Sequence, residues 1–62
     1  MQTWRALNKE LALMDEDQVL SLLNKEREGA RRISVLERLH QRYSALRTLR
    51  ERQELLREAR AL

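Results

Sequence analysis

The stretch RRISVLERLHQRYSALRTLRERQELLREARAL, residues 31–62, decides how this chain folds. It holds neither proline nor glycine, so nothing in it interrupts a helix once one has started. Its spacing predicts one long amphipathic helix from Ile33 to the C-terminus. At 100° per residue, Val35, Leu36, Leu39, Tyr43 and Leu46 fall in a sector about 100° wide, the width of a core-facing stripe. Farther along, Leu46, Leu49, Gln53 and Leu56 make a heptad-like row. Its centre has turned by more than the roughly 20° per heptad that a straight helix accumulates. The helix therefore carries two successive contact faces, the first for an internal core and the second, distal one without an evident internal partner.

Charge follows the same division. Residues 1–30 hold four basic and six acidic side chains, whereas residues 31–62 hold nine basic and four acidic ones, so the whole chain's net charge of +3 is −2 in the first half and +5 in the second. Nine of the eleven arginines lie in the second half. Such a split implies either an anion-binding second half or attraction between the halves, within one chain or between copies.

The bulk properties narrow the fold class. A chain of 62 residues is read as one helical domain, 1–62, and a chain of this size buries only about 60% of the surface its unfolded form exposes. With no cysteine there is no disulfide or thiolate metal site to staple a small core, so oligomerisation becomes the expected supplement. The missing cysteines also fit a cytoplasmic protein. One glycine, no proline and 37% charged residues favour long helices over sheets and turns. There is no apolar run near the roughly 20 residues that span a bilayer, and MQTWRALNKE lacks the regions of a signal peptide, so no membrane association is expected.

Upstream, Thr3 is placed to cap a short helix whose face is Trp4, Leu7, Leu11 and Met14. Trp4 at this spacing reads as a hydrophobic lid near the terminus and not as a ligand-stacking residue. Asp15 with Gln18 spells a capping box, and Met14 and Val19 sit where a hydrophobic staple closes the corner, so a second helix starts near Glu16. Its acidic start, Asp15 to Asp17, suits the positive end of a helix dipole better than a metal loop. Val19, Leu20, Leu22 and Leu23 form its apolar face, and Gly29 is expected to end it in the left-handed conformation. The connection from Glu28 to Arg32 is short enough to send the next helix back alongside it. Ser34 with Glu37 offers a further capping box, so the long helix is expected to begin at Ser34 or a turn earlier.

The resulting expectation is an all-α protein: a short N-terminal helix plus an antiparallel helical hairpin with a long C-terminal helix, dimerising into a helical bundle. A second helix of about 12 residues reaches about 18 Å, while one from Ile33 to Ala61 extends more than about 40 Å. Leu46, Leu49, Gln53, Leu55 and Leu56 are accordingly the expected self-association residues, meeting a second copy or another protein.

Catalysis finds little to work with. His40 is the only histidine, no serine stands in a nucleophile-elbow or triad-like context, and there is no glycine-rich phosphate loop. Glu37 and Glu51 lie about 21 Å apart by helical rise, too far for an acid/base pair. No enzyme, cofactor or metal is expected. Arginine does suit phosphate, and Arg31, Arg32, Arg38 and Arg42 form the least compensated basic cluster, so nucleic acid is the alternative partner. The distal charges have local partners instead: Arg47 with Glu51, Arg50 with Glu54, and Glu54 with Arg57. A helix-turn-helix reading of the hairpin is weak, because Glu26, Glu28 and Glu37 crowd the turn and the second helix is far longer than a reader needs.

The run RRISVLERLHQRYSALRTLRERQELL resembles small helical proteins encoded in bacterial prophages, over residues 15 to 56. The resemblance implies an accessory protein of a bacterium or phage and transfers no activity. In architecture the expected fold is also similar to the helical-hairpin RNA-binding regulators of plasmid copy number, although their sequence pattern is not reproduced.

Overall fold

A computed structural model describes residues 3–61, and among these it contains three α-helices and no strand. Helix α1 spans Trp4–Leu11, α2 spans Glu16–Glu28 and α3 spans Ile33–Ala61. The first two start as their sequences predict. Thr3 Oγ1 accepts the Ala6 N–H at 3.1 Å, taking up one of the exposed amides of the first turn of α1. At α2 the capping box is complete: Asp15 Oδ1 accepts from the Gln18 N–H at 2.8 Å, and Gln18 Oε1 accepts from the Asp15 N–H at 3.0 Å. Glu16 and Asp17 occupy the first turn of α2 and Lys25 and Arg27 its last, each sign at the favourable end of the dipole.

The connection between α2 and α3 departs from expectation in two ways. Gly29 caps α2 but is not left-handed, with φ −108° and ψ −115°; the left-handed residue is Arg31, at φ 53°. A Cβ on Gly29 would stand 3.2 Å from the Lys25 carbonyl oxygen, which itself accepts the Gly29 N–H at 3.0 Å, so the glycine serves close approach and not handedness. Arg31 is held by its backbone N–H on the Glu26 carbonyl and its Nε on the Arg27 carbonyl, both at 3.0 Å. The second departure is in the capping of α3, which begins at Ile33 as its spacing predicts. Ser34 and Glu37 form no capping box; the helix opens at Ile33, with the Arg32 carbonyl accepting the Leu36 N–H at 2.9 Å. Glu26, from the last turn of α2, takes the Arg32 N–H on Oε2 at 3.0 Å. A carboxylate from across the turn thus takes the backbone N–H of the residue that precedes α3.

Among the described residues five are buried: Leu7 and Leu11 of α1, Val19 and Leu23 of α2, and Leu39 of α3. Met14, Leu22, Val35, Leu36, Tyr43 and Leu46 pack partly buried around them. All five members of the proximal stripe predicted for α3 therefore join this cluster. Helix α2 packs on α3, with Glu26 beside Arg32 at one end and Glu16 beside Arg50 at the other. Trp4 remains half exposed and edges a cavity of about 60 Å³, together with Leu7, Leu22, Glu26, Arg32 and Leu39. That void is far below the roughly 300–1,000 Å³ of small-molecule sites. The folded chain is elongated, 50 × 22 × 15 Å, because α3 outruns its neighbours. No helix among the described residues is long and apolar enough to cross a membrane.

Candidate association surface

The place where α3 leaves its cover is marked by an ion pair. Arg50 Nε donates to Glu16 Oε1 at 2.8 Å, and Glu16 is the first residue of α2, so nothing of α2 lies farther along. Every described residue from 47 to 61 is exposed. Leu49, Leu55 and Leu56 are 53%, 65% and 49% exposed, so three leucines within one short helical segment keep about half or more of their surface in water. Leu46 lies at the border: it packs against the core and keeps part of its surface. Gln53 is exposed between Leu49 and Leu56, and a shallow groove runs along Gln53, Leu56, Arg57 and Arg60.

The distal charges sort into a paired and an unpaired set. Arg47 Nε meets Glu51 at 2.7 Å, and Arg50 Nη1 meets Glu54 at 3.1 Å in addition to its bond with Glu16. The Arg50 guanidinium is consequently held well above the ordinary arginine range, first by its hydrogen bond to Glu16 and then by that to Glu54. The expected Glu54–Arg57 pair does not form, because Glu54 turns to Arg50. Arg52, Arg57 and Arg60 have no ion pair among the described residues.

The proximal arginines are dispersed in role. Arg32 is the clearest correction: far from uncompensated, it donates Nη2 to Glu26 Oε1 at 2.8 Å and Nε to Glu26 Oε2 at 3.2 Å. Those side-chain bonds, followed by the backbone N–H of Arg32, hold the Glu26 carboxyl down at about 2 against an ordinary 4.5. Arg38 donates Nε to Asn8 Oδ1 at 2.6 Å and Nη1 to Gln41 Oε1 at 3.3 Å, which ties α3 to α1. Arg42 is half-buried, with its Nε covered and without a hydrogen-bond partner. Arg31 is exposed, its Nε committed to the Arg27 carbonyl.

Neither Glu26–Arg32 nor Glu16–Arg50 was visible in the sequence, since helical i,i+3 and i,i+4 rules do not reach across a turn or between helices. The acidic first turn of α2 is the one hint of the second pair, and its placement at the positive end of the helix dipole accounts for it equally well. His40 is exposed, and among the described residues no three side chains of His, Cys, Asp or Glu gather where a metal ion could sit. No protein-family model, curated protein or solved structure matches the chain.

Proposed function

We propose that this chain is a non-enzymatic, cytoplasmic helical interaction protein that self-associates through the distal half of α3. In this reading α2 and α3 form an antiparallel hairpin, α1 closes one side of it, and two copies build a helical bundle. The hairpin is supported by the Glu26–Arg32 and Glu16–Arg50 pairs at opposite ends of α2. Association is supported by one observation above others: the row of Leu49 and Leu56 exposed on a helix that has run beyond its intramolecular cover. A core of five buried side chains among the described residues is small for an isolated domain, and burying that row in a second copy would add to it. Sedimentation over a concentration series reaching about 100 μM should give a mass that rises toward twice the monomer, as mass action requires of a weak dimer. A fully helical monomer at every concentration would refute the reading.

Phosphate recognition by Arg31, Arg32, Arg38 and Arg42 is the weaker reading. Arg32 and Arg38 already carry partners in Glu26, Asn8 and Gln41, and the Nε of Arg42 is covered.

A further inference from the structure

We infer that the second copy docks antiparallel, with the two overhangs of α3 laid over one another and the arginine tip of each set against the acidic start of α2 of the other. This rests on the self-association reading and adds orientation, register and a second contact to it. Taking Leu49 as the d position of a heptad places Gln53 at a, Leu56 at d and Arg60 at a, with Arg50 and Arg57 at e and Arg52 at g. In a parallel pair, g faces e of the other helix. Arg52 would then oppose Arg57 twice over, and neither arginine has an ion pair among the described residues. The two acidic corners would also share one end of the dimer. Both encounters are repulsive.

An antiparallel pair removes both. Pairing Gln53 with Leu56 of the second copy, and Leu49 with the aliphatic stem of Arg60, gives a run of a–d layers with its midpoint between Glu54 and Leu55. The overlap then spans residues 49–60, which is the part of α3 beyond the cover of α2. Sliding the copies further together would drive each tip into the corner between α1 and α2; sliding them apart would expose Leu49 again. In this register Arg52 faces Ala59, and Arg57 faces Arg50, whose charge is already met by Glu16 and Glu54. The tip carrying Arg57 and Arg60 reaches the level of Arg50 on the second copy, which is the level of Glu16 and hence of exposed Asp15 and Asp17. The opposite charges of the two halves of the chain are brought together by this arrangement. Leu55, at a c position, stays outside the seam.

The chain has no cysteine, so single spin labels can be placed at will and the dipolar distance between copies measured. Thr48→Cys and Leu55→Cys occupy the same heptad position. Antiparallel docking offsets the labels by about 20 Å along the axis at 48 and about 2 Å at 55, giving a longer distance at 48. Equal distances at the two positions would mean parallel docking and overturn the inference, as would a longer distance at 55. If neither variant shows coupling and both sediment as monomers, it is self-association itself that fails. Within an antiparallel dimer, Asp17→Lys should weaken association roughly three- to tenfold, and adding Arg60→Glu should restore it. A double variant as weak as Asp17→Lys alone would overturn the contact between tip and corner.

Discussion

Arg50 and Glu16, 34 residues apart in sequence, meet through an Nε–H···Oε1 bond of 2.8 Å where α2 begins and α3 runs on alone. The pair marks how far α2 covers α3, and because both side chains keep contact with water its weight in stability is small. Position and energy separate here: the ion pair marks the border, and the buried leucines carry the stability. Arg50→Ala should lower the thermal midpoint by roughly 5 °C or less. Leu39→Ala empties a fully buried site and should cost about 2–5 kcal/mol, comparable with everything so small a core supplies. Circular dichroism melts of the two variants should show a modest shift for the first and loss of the cooperative transition for the second.

The Glu26 clamp predicts an acid-sensitive turn. Because the folded carboxyl sits at about 2 against an ordinary 4.5, its contribution is fully present above the unfolded value and is lost as pH falls toward the folded one. Glu26→Gln should therefore melt below the parent protein at pH 6, and the gap should close between about pH 4.5 and pH 2. A constant gap across that range would show that the ionised carboxylate is not what Arg32 holds.

At the same turn, Gly29→Ala should destabilise the protein by about 1 kcal/mol, since the new Cβ crowds the Lys25 carbonyl and disturbs its bond with the residue 29 amide. Arg31→Gly should be tolerated, because glycine adopts positive φ without penalty and offsets the lost Nε bond. Urea unfolding of both variants tests the order. A larger loss at position 31 than at 29 would mean that the Arg31 side chain anchors the turn.

On the distal helix, Leu49→Glu with Leu56→Glu should abolish self-association while leaving helix content nearly unchanged, because neither side chain belongs to the internal core. Arg47→Ala should scarcely alter it, its charge being spent on Glu51. Sedimentation and circular dichroism on the same samples separate dissociation from unfolding.

For nucleic acid, the divided roles of the proximal arginines predict no binding to duplex DNA or structured RNA tighter than the non-specific range of about 10⁻⁴–10⁻⁶ M. Fluorescence anisotropy at low salt measures this. Tight binding with a steep salt dependence, flattened by replacing Arg31, Arg32, Arg38 and Arg42 with alanine, would favour the phosphate reading instead.

What could be read from residues alone was whatever depends on neighbours within one or two helical turns. Thr3 and the Asp15–Gln18 box announced two helix starts because a cap involves residues only three apart. Val35, Leu36, Leu39, Tyr43 and Leu46 announced the inner face of α3 because periodicity is itself a local property. The failures share the opposite character. Ser34 and Glu37 have the letters of a capping box and form none, while Glu26 from the preceding helix takes the Arg32 amide just ahead of the expected start at Ile33. Gly29 had the letter of a left-handed cap, but the path of the turn put positive φ on Arg31. Arg32 looks uncompensated in the sequence because its partner lies six residues back across a turn, outside any helical spacing rule. Tertiary placement alone decided which arginines have partners and where the cover of α3 stops, since both depend on how α2 is laid along α3 and not on the order of residues within either helix.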